Sequence, residues 1–392
     1  MENLKFKIAN DNGNSEQDMF IDDVEITSPN VLAHVPVLPN LDDVDIVDAV
    51  EDIHNNLVVT IDGETYYIGN YALSNGMVCR SLNVGFDNDK VDSKIVYINT
   101  LAHIAGEAVN KMYNDDSIWT GQSVIPVSVE MATSLPVVDF TADEADRFAH
   151  KFMDTPKEVI VHVGKVEYHV NITFSFVKVI PEGVTASHAL TRRDAIFRDY
   201  NKNHQDEPLA SGMFNSLRIL HVAIGEGTTE FPLTKGIIYN PNYIDGTKNG
   251  VGVAIDRVIE PFKRKFGLMQ LSRQDFSAII RNPEHRYHED AMNMLRPALE
   301  DEADAILRRA EYNITRANNE VDIVAVYGGG SILMREALEA PLQKFCDRAR
   351  IKLLYITDKR DAVLLESYGL RDFVSGKLFD SIVRRAKQKK TA

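Results

Sequence analysis

The stretch Val321-Asp322-Ile323-Val324-Ala325-Val326-Tyr327-Gly328-Gly329-Gly330-Ser331-Ile332-Leu333-Met334 decides how this chain is read. An apolar run of strand length meets three consecutive glycines, and helically spaced apolar residues, Met334, Leu338 and Leu342, begin at once. Glycine admits positive φ and lets backbone lie flat against a ligand, because no Cβ intervenes. A strand entering a helix through such a turn points backbone N–H groups and the positive helix end into a crevice. Alone the signal is weak, since many α/β proteins use glycine-rich turns for any tight bend.

Two further glycine turns give it weight. Leu4 to Ala9 alternate apolar and polar residues, then come Asp11-Asn12-Gly13-Asn14-Ser15 and a second apolar run around Met19-Phe20-Ile21. Asn-Gly between such runs is a strong hairpin signal. The run Leu217 to Ile224 leads into Gly225-Glu226-Gly227-Thr228-Thr229, and Phe231 to Tyr239 can return as a strand whose start Pro232 weakens. Each turn offers several N–H donors beside hydroxyl or amide side chains, which suits a polyphosphate. Either hairpin taken singly reads first as an ordinary surface turn. Two of them, followed by the Gly328 turn, are much harder to ascribe to chance.

The 392 residues exceed the size at which a single core stops growing, so two domains are expected. Hydrophobic residues make up 44%, enough for buried cores. No apolar run is long enough to span a membrane. The start Met1-Glu2-Asn3-Leu4-Lys5 lacks the features of a signal peptide, and only Cys79 and Cys346 occur, so the chain reads as cytosolic without disulfides or a cysteine zinc site. A net charge of −15 argues against direct nucleic-acid binding, which needs clustered Lys and Arg. Asp42, Asp43, Asp45, Asp48, Glu51 and Asp52 read as a solvated acidic face, and Arg384, Arg385, Lys387, Lys389 and Lys390 as a frayed basic end.

Between the motifs, Leu57–Ile61 and Thr65–Ile68 predict a hairpin around Asp62-Gly63, and Ile95 to Met112 a helix with one buried face. Ser123 to Val129 predicts a strand ending before Leu135-Pro136. Val159–Val163 and Tyr168–Val179 predict strands around Gly164 that close the first half's sheet. Ala189–Tyr200, Ile255–Phe266, Ala291–Tyr312 and Phe373–Lys387 predict helices, with Pro297 marking a start or kink. The order implies two α/β halves, each opening on a phosphate-type hairpin and each carrying an inserted lobe, with a nucleotide in the cleft between them.

Asp11-Asn12-Gly13-Asn14, Gly225-Glu226-Gly227-Thr228-Thr229-Glu230 and Gly328-Gly329-Gly330 resemble the two phosphate motifs and the adenosine motif of the actin superfamily. Leu135-Pro136-Val137 resembles a segment of that fold's first domain. Pro181-Glu182-Gly183 resembles the site where ParM-type actins, filament-forming ATPases that segregate bacterial plasmids, hold a water-orienting glutamate. The resemblance spans nearly the whole chain. It implies an actin-like fold of two duplicated α/β domains: residues 1–185 with a lobe inserted at about 36–92, and residues 186–392 with a lobe at about 246–320.

The resemblance further implies ATP or GTP with Mg²⁺, the metal held through Asp11, mostly by way of water. Asn12, Gly13, Asn14 and Ser15 would wrap the phosphates from one side, and Gly225, Glu226, Gly227, Thr228 and Thr229 from the other. Glu182 would orient the attacking water, since phosphoryl transfer asks mainly for positioning and charge neutralisation. Gly328, Gly329, Gly330 and Ser331 would lie against adenosine, with Lys248 and Asn249 as weaker candidates. One departure stands out: many superfamily members place an aspartate where this chain has Ala223, leaving Asp11 alone or Glu226 to substitute.

No Gly-x-x-x-x-Gly-Lys-Ser/Thr motif occurs, which excludes a P-loop NTPase. His285-Arg286-Tyr287-His288-Glu289-Asp290 contains metal-capable groups but reads as a loop or helix start. Two function classes follow. In one, subunits assemble head to tail into a filament that moves a plasmid through a separate DNA-binding adaptor. In the other, the cleft of a soluble small-molecule kinase of the same superfamily receives an acceptor.

Overall fold

The protein is described by a computed structural model covering residues 3–38, 46–75, 77–82, 90–115 and 124–391. Asp42, Asp43, Asp45, Ser123 and the side chains of Lys389 and Lys390 lie outside the described residues.

Two sheets organise the molecule. The first contains β1 (Leu4–Asn12), β2 (Glu16–Ile21), β3 (Val24–Pro29), β4 (Val31–Val35), β5 (Val58–Ile61), β6 (Glu64–Ile68), β7 (Arg80–Ser81), β8 (Ile125–Leu135), β9 (Lys157–Val163) and β10 (Val166–Pro181). Their order is β3-β2-β1-β8-β10-β9-β5-β6-β4-β7. The second contains β11 (Arg218–Ile224), β12 (Thr229–Glu230), β13 (Leu233–Lys235), β14 (Ile238–Tyr239), β15 (Gly246–Thr247), β16 (Ile323–Tyr327) and β17 (Lys352–Tyr355).

The duplication is visible in the pairing. β3-β2-β1 form an antiparallel meander, and β1-β8-β10 are parallel. Likewise β14-β13-β11 are antiparallel, and β11-β16-β17 are parallel. Parallel neighbours need crossover connections, supplied by helices such as Lys94–Asp115 in the first half and Gly329–Ala349 in the second. The apolar faces of these helices bury a core against each sheet. A third core lies between the sheets, where Ala9, Phe20 and Ile180 meet Ile219, Ala325 and Tyr327 around the helix Lys359–Val374. No helix among the described residues is long and apolar enough to cross a membrane.

Several elements differ from the sequence reading. The strand expected over Ser123–Val129 runs on to Leu135, because β1 and β10 pair with its two edges and leave its backbone satisfied throughout. β9 and β10 do not close the first sheet: β9 pairs with β5, and β6, β4 and β7 extend it. The return strand expected over Phe231–Tyr239 starts only at Leu233, after Pro232, which has no N–H to give a ladder, and turns back at Gly236 (φ +56°) so that β13 and β14 pair as a hairpin. Ala189–Tyr200 is three short helical pieces, Ala186–Leu190, Asp194–Phe197 and Arg198–Asn203. Pro297 sits inside one continuous helix, His288–Arg316, and does not start it. The final helix is two, Lys359–Val374 and Lys377–Thr391; the break at Ser375-Gly376 turns Phe379 back against Phe373, ring centres 5.4 Å apart.

Candidate functional site

Three turns end three central strands on the same side of the molecule. Gly13-Asn14-Ser15 joins β1 to β2, Gly225–Thr228 joins β11 to β12, and Gly328 joins β16 to the helix Gly329–Ala349. They frame a cleft of about 600 Å³ between the two sheets, the usual place for a ligand in an open α/β architecture. Asp11, Gly13, Asn14, Ser15, Glu182, Gly225, Glu226, Thr228, Gly328, Gly329 and Gly330 all line it. Residues some 300 positions apart in sequence thus share one wall.

Other expected residues lie behind that wall or away from it. Asn12 is buried, its amide donating to Thr133 Oγ1 at 3.4 Å. Gly227 is not among the lining residues. The buried Thr229 hydroxyl donates to Asn249 O at 2.7 Å, and the Asn249 amide donates to Glu302 at 2.8 Å. Both therefore tie the second turn to the long helix. Lys248 is exposed and does not reach the cleft. Ser331 is buried and donates to Gly328 O at 2.8 Å, tying off the first helical turn.

Gly328 has φ of +95°, and a Cβ there would overlap the Ile224 carbonyl oxygen at the end of β11. Close packing against β11 is thus one reason for glycine at this position. Gly329 differs, because its Cβ would meet nothing nearer than Val363 Cγ2 at 3.9 Å.

The floor of the cleft is acidic. β1 carries Asp11 between two hydroxyls, Ser134 Oγ and Ser367 Oγ, each donating to it at 3.4 Å. Burial, then the neighbouring Glu182, push its pKa up to about 6, against the pull of Lys90 and the two serines. Asp18, opposite Asp11 on β2, is also buried and pushed well up by burial. Glu366, from the helix Lys359–Val374, accepts from Gly183 N at 2.7 Å and Thr185 Oγ1 at 3.0 Å. Burial and the charges of Asp11 and Glu182 push its pKa to about 8. Glu230 is 2% exposed and accepts from Val137 N at 3.2 Å; burial and Glu182 push its pKa well up.

Glu182 sits on a turn held from several directions. Its N–H donates to Leu135 O at 2.8 Å, and the Tyr327 hydroxyl donates to Gly183 O at 3.0 Å. Tyr327 in turn stands 3.2 Å from Nδ1 of His221, whose pKa burial draws down to about 3, so that imidazole is neutral. The Glu182 carboxylate meets the Lys90 ammonium at 2.6 Å. The second turn is braced by the helix Val251–Phe266, whose first N–H groups donate to Gly225 O and Glu226 O. Burial raises the pKa of Glu226 against the pull of the Ser15 hydroxyl of the first turn, and its carboxylate lies 3.8 Å from Arg273.

Sequence reasoning missed Lys90, Asp18 and Glu366, and quoted Glu230 without giving it a role. Only Glu230 had a signal, as the last residue of the second motif. Ala223 pairs directly with Glu230 across β11 and β12, so the two side chains lie on one face. Position 223 carries no carboxyl, and its cross-strand neighbour does.

The donor set fits Mg²⁺ held largely through water. Mg²⁺ takes few carboxylates and keeps several waters, and Asp11 and Glu182 present carboxylate oxygens to the cleft. An anionic polyphosphate has little reason to approach this acidic floor without such a cation.

Comparison with known proteins places the architecture. Residues 11–184 match the family model for the N-terminal domain of actin-like proteins. The actin-like protein Alp7A superposes with a TM-score of 0.69 at 17% identity, over 99% of this chain and 100% of that one. A Bacillus thuringiensis ParM with ATP gives 0.59 at 16%, over 97% and 100%. A subunit of a 15-stranded ParM filament from Clostridium botulinum gives 0.59 at 13%, over 95% and 99%. No curated protein matches the chain in sequence.

Proposed function

On a chain that has the actin-like fold over nearly its whole length, we propose a nucleotide-dependent, filament-forming ATPase. The observation that carries this reading is the cleft in which Asp11, the two glycine turns and Glu182 face one another. The residues divide the work. Backbone N–H groups of Gly13–Ser15 and of Glu226 and Thr228 hold the phosphates, the Gly225 N–H being taken by Thr228 O at 2.9 Å, and Asp11 holds the Mg²⁺, which neutralises phosphate charge when bound. Glu182, fixed by the Gly183 turn, orients a water. Gly329 lies along the nucleoside. The nucleotide is ATP or GTP, and the ParM with ATP among the similar structures supports the first.

The filament belongs to the same proposal, supported by the ParM filament of like fold. So do the domain division at 185/186 with lobes at about 36–92 and 246–320, a cytoplasmic location, and a plasmid cargo engaged through a DNA-binding adaptor. An adaptor suits a chain whose net charge of −15 disfavours direct contact with DNA. Sedimentation at micromolar concentration tests the reading: polymer is expected with Mg-ATP and disassembly as ATP is consumed. Monomer throughout would overturn it. Phosphorylation of a small molecule without assembly would replace it with a soluble phosphotransferase.

A further inference from the structure

Three lining residues of the cleft carry a permanent positive charge among those described: Lys90, Arg281 and Lys359. Arg281 and Lys359 stand exposed at the rim. Lys90 is 3% exposed and lies at the floor. A buried ammonium is costly unless paired, and its partner is Glu182, at 2.6 Å. Burial pulls the Lys90 pKa down, but Glu182 and then Asp11 outweigh it, so the side chain stays charged.

Its placement is built. The turn Lys90–Ser93 is pinned from behind by the helix Ala142–Met153. Lys151 Nζ donates to Val91 O at 2.8 Å and Ser93 O at 3.0 Å, and Arg147 donates to Asp92 at 2.9 Å. Val91 is buried beside it. The cation therefore reaches the phosphate end of the cleft from an element that belongs to neither glycine turn.

We propose that Lys90 senses the terminal phosphate and is a catalytic residue of the hydrolysis. This rests on the nucleotide reading above. Without a triphosphate, the ammonium is held by Glu182 and occupies that carboxylate. A γ-phosphate offers more negative charge and three acceptor oxygens, so the ammonium moves its contact to phosphate and leaves Glu182 free to accept from water. The water oxygen then bonds to the γ-phosphorus as the bond to the bridging oxygen breaks. The electron pair leaves with the nucleoside diphosphate, and the water's proton passes through Glu182 to orthophosphate. Once orthophosphate departs, Lys90 returns to Glu182. A nucleoside diphosphate lacks the group that draws the ammonium away, so it leaves the pair closed.

The test compares Mg-ATP with Mg-ADP affinity by calorimetry, together with single-turnover hydrolysis, for wild type, Lys90→Ala, Lys90→Gln and Lys90→Arg. Loss of a charged contact made only to the γ-phosphate should weaken Mg-ATP about 10- to 100-fold in Lys90→Ala and leave Mg-ADP within about threefold. Hydrolysis should fall on the order of 100- to 1,000-fold, as when a charge-stabilising donor is removed from a transition state. Lys90→Arg should recover most of the ATP-over-ADP preference. Lys90→Gln, which can still bond to Glu182, keeps the comparison available if the alanine variant does not fold. Equal losses for the two nucleotides would mean that Lys90 merely neutralises the acidic floor, and unchanged hydrolysis would equally overturn the proposal. A wild-type protein that binds neither nucleotide would instead bring down the ATPase reading, and this proposal with it.

Discussion

Replacing Glu366 by Gln should make the nucleotide-free protein more stable, and only at the alkaline end. Glu366 is buried among Asp11 and Glu182, and its pKa is raised from the usual 4.5 to about 8. Below pH about 4.5 the carboxyl is protonated in both folded and unfolded chains and contributes nothing. Between about 4.5 and 8 the unfolded chain releases the proton and the folded chain keeps it, so stability falls as pH rises; above about 8 the full penalty applies. A separation of about 3.5 units corresponds to roughly 5 kcal/mol at most. Glutamine keeps an oxygen to accept from Gly183 N and Thr185 Oγ1 and carries no charge to bury. If even 2 kcal/mol is recovered, Tm should rise by about 2 to 3 °C at pH 8.5, with the gain vanishing near pH 4.5. Calorimetric melts of both proteins across that range decide it. Saturating Mg-ATP should shrink the gain, because a cation in the cleft already relieves the carboxylate. A Tm difference of the same size at every pH, or a loss at pH 8.5, would refute the reasoning.

Asp11→Ala should abolish Mg²⁺-dependent nucleotide binding in calorimetry, whereas Cys79→Ser and Cys346→Ser should leave it intact, both cysteines being absent from the cleft lining. In the wild type, the Asp11 pKa of about 6 means the metal-holding form is lost as pH falls, so Mg-ATP affinity should weaken about tenfold per pH unit below 6. Glu182→Ala should bind ATP and assemble, yet hydrolyse about 100- to 10,000-fold more slowly, leaving filaments that persist in light scattering; phosphate release at the wild-type rate would move attention to Glu226 or Glu230. Gly328→Ala should cost about 2 kcal/mol or more in denaturant melts, from the positive φ and the overlap with Ile224, while Gly329→Ala should be nearly neutral.

What the sequence revealed was local. The turns at Gly13, Gly225 and Gly328 could be read because strand, glycine and strand or helix follow one another within about fifteen residues, and each signal is complete in itself. From them came the α/β class, the duplication and the cleft. The acidic floor could not be read that way. Glu366 bonds to Gly183 across 183 positions and sits on a helix whose pattern of apolar residues is ordinary. Lys90 meets Glu182 across 92 positions from a turn that carries no motif. Asp18 precedes the apolar run Met19-Phe20-Ile21 and carries no motif of its own; it becomes a site residue only because it pairs with Asp11. The break at Ser375-Gly376 was missed for a related reason: both sides have helical spacing, and it is the packing of Phe379 on Phe373 that bends the chain.

The missed residues explain more than the recognised ones. A cleft made of the glycine turns alone would accept a polyphosphate by itself, through N–H groups and helix ends. The actual cleft adds Asp11, Asp18, Glu182, Glu230 and Glu366, with one buried ammonium among the lining residues described. Like charges at this depth repel a bare phosphate and raise one another's pKa values, which is a cost to the empty protein. On the nucleotide reading proposed above, that cost is offset when cation and nucleotide arrive together. On that reading the empty state is strained electrostatically, and a loaded state would draw the two halves of the molecule onto a common charge. In a protein whose halves meet along the helix Lys359–Val374 and the ion pairs Arg371–Asp23, Arg360–Glu25 and Lys7–Asp380, such a difference between empty and loaded clefts is what would let nucleotide set their relative position, and with it whether a second subunit fits.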